Sequence, residues 1–159
     1  MTPSCPLCKT ASQCDSRTHP LHITTIQNTH VILGDNQGCP GWCVCVLRDH
    51  VEHLDLLSIE RQQAIFAEVA EVARAIRTWS TSSQTIVPKT ATNTPPRINY
   101  ECLGNVVPHI HWHIIPRHAA IDPEPLKPVW GWPAEQLRGS LSQDQRTALA
   151  ATLRAHIKP

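Results

Sequence analysis

The chain has 159 residues, of which 41% are hydrophobic and 17% are charged, and its net charge is +1. This length suits one domain with a buried core, and the charge gives no broad attraction to a nucleic acid polymer or a membrane surface. No apolar run approaches the roughly 20 residues of a membrane span, and the first residues show no basic-then-apolar export segment. We therefore expect a cytoplasmic protein.

Seven cysteines are many for this length, and they stand at positions 5, 8, 14, 39, 43, 45 and 102. Because their number is odd and a cytosol keeps thiols reduced, metal ligation and burial are favoured over a disulfide framework. Cys5 and Cys8 have the Cys-x-x-Cys spacing that supplies half of a tetrahedral zinc site. Cys14 is a competing ligand, and incidental cysteines in a frayed terminus are the alternative. A redox pair is disfavoured because no βαβ pattern surrounds it.

The first predicted strands lie in residues 22–33, a β-rich segment interrupted near Gln27 and Asn28. A turn cluster follows at 34–38, and Asp35 within it has a side chain that commonly bonds its own backbone in turns. Residues 42–47 form the next predicted strand. Its two cysteines share one face and are predicted to lie in the core.

Ser58 can cap a helix whose first turn contains Glu60, which is favourably placed against the helix dipole. Apolar residues then recur at three- and four-residue spacing to about Trp79. They predict a core face made of Ile65, Phe66, Val69, Val72, Ala73 and Ile76. The proline-bearing stretch 88–96 is predicted to be a loop, and 97–103 to be another strand.

Histidines occupy every second position of the segment from His109 through His111 and His113 to Ile115, with apolar residues between them. This pattern predicts a strand in which the three imidazoles share one face. Neighbouring histidines would lie roughly 6.6 Å apart and the outer two about 13 Å apart, so one zinc ion bound by all three is disfavoured. Different roles are expected, since near neutrality one imidazole can be a nucleophile while another donates a proton. Three exposed histidines on a polar face are the alternative.

The segment 122–133 contains four prolines and therefore cannot form a regular helix. Trp130 and Trp132 could pack across a dimer partner, form an apolar wall for a base, or dock on their own domain. Ser142 and Gln145 predict a capping box. A closing helix is predicted from the apolar positions Leu149, Leu153 and Ile157.

The histidine segment resembles the signature of the histidine triad (HIT) superfamily, His-φ-His-φ-His-φ-φ, and residues 103–117 match it through the flanks. The matching order of elements covers most of residues 5–118. The resemblance implies an α+β fold, an antiparallel sheet of about five strands with one main helix and a C-terminal helix, usually paired as a homodimer. Residues 1–121 would form the HIT-like domain, and residues 122–159 a tail and helix packed on it.

The resemblance also implies roles for individual residues. His111 would attack the α-phosphorus of a nucleotide, and His113 would bond a phosphoryl oxygen or assist the leaving group. Asn99 and Asn105 match amide positions that contact phosphate or ribose, although Asn105 also suits a turn after glycine. Asp35 falls where the ribose hydroxyls are held.

In the zinc-bearing branch of this family, zinc is bound by the Cys-x-x-Cys pair, the first triad histidine and a histidine that follows the strand predicted here at 42–47. The implied zinc ligands are Cys5, Cys8, His50 and His109, with His53 as the rival of His50. Four protein ligands leave no open position, so this zinc would be structural. No catalytic metal is required.

The favoured function is a nucleotide hydrolase or transferase that cleaves at the α-phosphate of a nucleoside phosphoramidate or dinucleoside polyphosphate, through a covalent nucleotidyl-histidine. The alternatives are a nucleotide-binding regulatory module and a zinc-binding interaction module, each with little turnover. The sequence does not distinguish hydrolase from transferase, and it reveals neither the base nor the leaving group.

Overall fold

A computed structural model describes residues 5–82 and 94–157 of the chain. The strands are β1 His22–Thr25, β2 Thr29–Leu33, β3 Cys43–Leu47, β4 Arg97–Glu101 and β5 His111–Arg117. They form one antiparallel sheet of five strands in the order β1-β2-β3-β5-β4. The predicted α+β class with about five antiparallel strands is confirmed.

The helices are α1 Pro6–Asp15, α2 Ile59–Ser82, α3 Ala134–Arg138 and α4 Gln143–Arg154. The main helix α2 and the closing helix α4 pack against one face of the sheet. Alternate strand residues point to that face because the side-chain period of a strand is two. The core between these layers includes Ile23, Val31, Leu33, Cys43, Cys45, Leu47, Ile65, Val69, Val72, Ile76, Ile114, Leu149 and Leu153.

The opposite face of the sheet carries a second, smaller apolar cluster. It contains Trp42, Val44 and Val46 of the β3 region, Ile115 of β5, and two residues of the tail, Val129 and Trp132. The tail reaches this face through a 3-10 turn at Val129–Gly131. Both faces of β3 and the C-terminal half of β5 are therefore buried.

Several local predictions differ from the structure. Strand β5 begins at His111, two residues after the predicted start, because His109 and Ile110 bond a loop instead: Ile110 N donates to Val51 O. Phe66 of the predicted core stripe is 47% exposed, and its ring packs against that of Trp112 with the planes at 62°. Helices α1 and α3 and the two 3-10 turns, Leu54–Leu56 and Val129–Gly131, were not predicted.

The closing helix begins with the predicted capping box, in which Ser142 and Gln145 bond each other's backbone N–H groups. Since α4 shares the main core and the tail shares the second cluster, we propose that residues 122–157 belong to the same folded unit as the sheet.

Part of the loop predicted at 88–96 lies outside the described residues. None of the helices in the described ranges is long and apolar enough to cross a bilayer.

Candidate functional site

His111 and His113 lie on the sheet face away from α2, where they stand opposite Val46 and Val44 of β3. Their rings are near neighbours, with centroids 5.1 Å apart and planes at 79°. Both side chains are half-buried. The strand thus places two imidazoles side by side with access to solvent.

A backbone carbonyl sets the tautomer of His111. Its Nδ1 lies 2.7 Å from the carbonyl oxygen of His109, and because a carbonyl only accepts, Nδ1 must carry the proton. In the neutral ring, Nε2 then keeps a free lone pair. His111 is therefore oriented as a nucleophile or a base at Nε2.

His113 has the opposite tautomer because its partner is a donor. The indole Nε1–H of Trp42 donates to His113 Nδ1 over 3.2 Å, so the proton of the neutral ring lies on Nε2. Burial, and then the neighbouring His111, lower the pKa of His113 from 6.5 to about 4. Near neutrality His113 is uncharged and can donate a hydrogen bond through Nε2.

An aromatic wall stands beside this pair. The ring centroid of Trp130 lies 5.1 Å from that of His113 and 5.3 Å from that of Trp42. The Trp130 indole N–H donates to the carboxylate of Glu101, the β4 residue opposite His113. Both tail tryptophans contact their own chain, Trp130 beside His113 and Trp132 within the second apolar cluster.

Four sulfur and nitrogen ligands meet at the N-terminal side of β5. Cys5, Cys8, His50 and His109 place one ligand atom each within 4.8 Å of all the others. His109 Nδ1 lies 3.5 Å from Cys5 Sγ and 3.6 Å from Cys8 Sγ, and His50 Nδ1 lies 3.3 Å from Cys8 Sγ. Zn–S and Zn–N bonds at a tetrahedral angle separate sulfur from nitrogen by about 3.6 Å. The donor set and its spacing therefore fit zinc.

The outer nitrogens of both histidines have acceptors, as zinc-bound imidazoles normally do. His109 Nε2 lies 2.8 Å from the Leu47 carbonyl oxygen, and His50 Nε2 lies 3.5 Å from Glu52 Oε1. Each acceptor favours a proton on Nε2 and leaves the Nδ1 lone pair facing the sulfurs. Burial is the main cause that lowers the pKa of His109, which also favours the neutral ligand form.

The rival ligands lie elsewhere. His53 is exposed and belongs to a cavity of about 570 Å³ on the Trp112 side of β5. Cys14 is at the far end of α1 in another group of side chains. Neither contributes a ligand atom to the group around His109.

The three predicted nucleotide contacts have different positions. Asn99 stands opposite Ile115 and shares the sheet face of His113. Asn105 is exposed in the loop before β5, and Asp35 is exposed in the turn after β2, where its carbonyl accepts a bond from Arg146. In the described part of the chain, no hydrogen bond joins Asp35, Asn99 or Asn105 to either site histidine.

Arg117 is neither solvated nor free for phosphate. It is buried on the same face, where its Nε donates to Asp122 over 2.6 Å and its Nη2 donates to the Glu124 carbonyl. Its guanidinium also lies 5.1 Å from the centroid of the Trp132 ring. A cavity of about 380 Å³ beside it is lined by Asn99, Arg97 and Lys127 among others.

Sequence reasoning missed Trp42, Glu52 and Glu101. The period-two pattern of Trp42, Val44 and Val46 was a usable signal, since it places all three on one face. That β5 is the neighbour of β3 follows only from the folded sheet order. Glu52, two residues after His50, was the available signal for an acceptor to a metal-binding imidazole.

Comparison with known proteins gives a family match. The family model described as HIT domain matches residues 22–120. No curated protein matches the sequence.

Solved structures give the same fold at low identity. A histidine triad protein from Sinorhizobium meliloti is 22% identical with a TM-score of 0.67, covering 86% of this chain and 89% of that one. One from Marinobacter aquaeolei is 22% identical with a TM-score of 0.66, covering 92% and 93%. A Zn-bound histidine triad family protein from Mycobacterium smegmatis is 18% identical with a TM-score of 0.58, covering 93% of each chain.

Proposed function

The chain belongs to the HIT domain family, and on that premise we propose that it is a nucleotide hydrolase or transferase acting at the α-phosphate. The substrate class is a nucleoside phosphoramidate or a dinucleoside polyphosphate. His111 Nε2 forms a bond to the α-phosphorus while the bond to the leaving group breaks. Water or another acceptor then attacks the nucleotidyl-histidine, which releases the nucleoside monophosphate or its ester and restores the free imidazole.

The observation that carries this proposal is the hydrogen bond from His111 Nδ1 to the His109 carbonyl. It holds the ring in one tautomer and one orientation, with Nε2 as the only lone pair of the ring that can attack. A positioned nucleophile needs no reorientation in the transition state. This supports His111 as the catalytic nucleophile.

His113 would donate its Nε2–H to a phosphoryl oxygen or to the leaving group. The Trp42 bond at Nδ1 supports this role because it keeps the proton on the outward nitrogen. A neutral donor does not hold the ground-state phosphate as strongly as a cation would, so its effect can grow as charge develops.

The remaining substrate contacts are also proposals. Asn99 would contact phosphate from the strand beside His113, a placement supported by their shared sheet face. Asn105 and Asp35 would reach phosphate or ribose from the loops at the two ends of the sheet, and both are exposed for this.

Cys5, Cys8, His50 and His109 would hold a zinc ion, and four protein ligands make it structural. Its chemistry when bound is to fix α1, the loop after β3 and the start of β5 to one another. Catalysis at His111 needs no metal. We further propose that the protein is a homodimer and cytoplasmic, the latter because an odd number of cysteines suits a compartment that keeps thiols reduced.

The test is a search for the covalent intermediate. Protein mixed with adenosine phosphoramidate or diadenosine tetraphosphate, and quenched within one turnover, is expected to carry an acid-labile adenylyl group on the peptide that contains His111. Mass spectrometry and release of AMP measure it. Tight binding of the nucleotide with no adenylyl group and no AMP would instead identify a binding module.

A further inference from the structure

A second group of metal-binding side chains lies apart from the first, between the C-terminal end of α1 and the hairpin of β1 and β2. Cys14 Sγ and one ring nitrogen each of His22 and His30 lie within 4.8 Å of one another. Cys14 and His30 are buried, and His22 is half-buried. Nothing in the proposed phosphoryl chemistry uses these three residues.

His30 is the most informative member. Its side chain is fully buried, and its Nε2 makes no hydrogen bond with any described residue. The carboxylate oxygen Oδ1 of Asp15 lies 3.4 Å from it. A buried polar nitrogen without a hydrogen bond destabilises the folded state. A metal ion bound there would give this nitrogen a partner.

Thr25 orients both imidazoles from the side. Its hydroxyl lies 2.8 Å from His30 Nδ1 and 3.1 Å from His22 Nε2. Since a hydroxyl oxygen has two acceptor lone pairs, it can accept from His30 Nδ1–H and from His22 Nε2–H together, which leaves the lone pair of each ring on its other nitrogen. Hydrogen bonds of this kind orient the imidazoles of metal sites.

We propose that Cys14, His22 and His30 form a second zinc site, which is independent of the function proposed above. One thiolate and two imidazoles are a donor set that suits Zn²⁺. The site opens to a surface pocket lined in part by Asp15, His19 and Arg154. Three protein ligands leave a fourth position, which solvent or the adjacent Asp15 carboxylate can fill.

Helix α1 gives such a site a structural purpose. It has only ten residues, and the buried ones are Cys8, Ala11 and Cys14, which bury little apolar surface. A helix this short is marginal without tertiary support. Cys8 belongs to the first cluster and Cys14 to the second, so two zinc ions would fasten the helix at both ends. In the sheet, His30 of β2 lies opposite Val46 of β3, and Val46 lies opposite His111 of β5, so one strand separates the second site from His111.

The test counts zinc in protein that has been stripped and reloaded with Zn²⁺ alone, then dialysed. The wild type is expected to retain two equivalents per chain. Cys14→Ser and His22→Gln should each retain one, Cys5→Ser should retain one, and the double variant Cys5→Ser with Cys14→Ser none. Cys39→Ser is the matched control, since Cys39 is a buried cysteine outside both groups, and it should retain two.

Reloading with Co²⁺ keeps the test decisive even where a variant folds poorly, because it uses the wild type. Two loading steps with different thiolate-to-cobalt absorption per ion are expected, since one site has two thiolates and the other has one. If the wild type retains one zinc equivalent and Cys14→Ser retains the same amount, the second site is overturned. A single cobalt loading step in the wild type would also overturn it. One equivalent lost in Cys14→Ser but kept in Cys5→Ser would support it and reject the first site.

Discussion

His109 and His111 are two residues apart, yet their rings use opposite nitrogens. His109 is 1% exposed, directs Nε2 to the Leu47 carbonyl and turns Nδ1 toward two sulfurs. His111 is half-buried, directs Nδ1 to the His109 carbonyl and leaves Nε2 open. The carbonyl that each ring meets decides which lone pair remains. The same residue type therefore turns a lone pair toward two sulfurs in one place and keeps an open lone pair beside His113 in the other, which is why we propose different roles for the two.

The two regions are also joined by a covalent and hydrogen-bonded path. His109 presents its ring to the sulfur cluster and its carbonyl to the ring of His111. Any shift of the His109 backbone moves the carbonyl that accepts from His111 Nδ1–H and orients the proposed nucleophile. We therefore expect damage to the cluster to weaken catalysis without removing it, whereas damage to His111 removes it.

The largest effect is expected for His111→Ala. Loss of the proposed nucleophile should lower kcat/KM by at least the roughly 10²–10⁴-fold typical of a positioned catalytic group. Because His111 contributes no atom to the sulfur cluster, the zinc content should equal that of the wild type. Steady-state AMP release and metal analysis measure the two quantities. Near-normal turnover in this variant would refute the assignment of His111.

The next effect concerns the metal side of the comparison. Cys8→Ser removes a buried thiol that lies 3.3 Å from His50 and 3.6 Å from His109. We expect loss of one zinc equivalent and a lower melting temperature, because metal binding energy contributes to folding. Turnover should fall less than in His111→Ala. A variant that kept full zinc and stability would show that Cys8 is not a ligand.

Much of this contrast was predictable because it depends on short-range patterns. The alternation of His111 and His113 predicted one face, and both do lie on one face of β5. The spacing argument predicted different roles for the three histidines, and the family pattern made the first of them a companion of Cys5, Cys8 and His50. The structure brings these four side chains together, although their role as zinc ligands stays a prediction.

What could not be predicted depends on long-range register. The Trp42–His113 bond requires that β3 pair with β5 in one particular alignment, 71 residues apart in sequence. The Arg117–Asp122 pair spans only five residues, but it too depends on a feature the sequence did not reveal, the way the chain turns back after β5. Helix α1 has only weak sequence signals, since its buried positions are two cysteines and one alanine.

A smaller effect is expected for Glu52→Gln, which tests whether the tautomer of His50 matters to the metal. The amide is a weaker acceptor for His50 Nε2–H than the carboxylate. Loss of such an outer partner typically lowers metal affinity by about 10–100-fold. Because His50 and Glu52 are partly exposed, we expect a loss of affinity near the smaller of these values. Competition with a chromophoric chelator measures the affinity. Glu71→Gln, on a distant turn of α2, is the control and should not change it.

The smallest effect on rate is expected for Trp42→Phe, which retains an aromatic ring but removes the donor to His113. A typical hydrogen bond contributes about 0.5–1.5 kcal/mol, so kcat at neutral pH should fall roughly two- to tenfold. Trp132→Phe is the matched control, because the Trp132 indole N–H is buried without a hydrogen bond to any described residue.

The pH dependence distinguishes tautomer control by Trp42 from simple packing. Folding holds the pKa of His113 at about 4, below its usual 6.5, so the unfolded chain takes up a proton first as the pH falls. The contribution of neutral His113 to the free energy of unfolding is therefore complete above about pH 6.5, and it is lost as the pH falls toward 4. The Trp42 bond favours the neutral ring, so Trp42→Phe should raise this pKa and move the acid limb of kcat/KM to higher pH. NMR titration of His113 measures the pKa directly, and an unchanged value would leave Trp42 only a packing role.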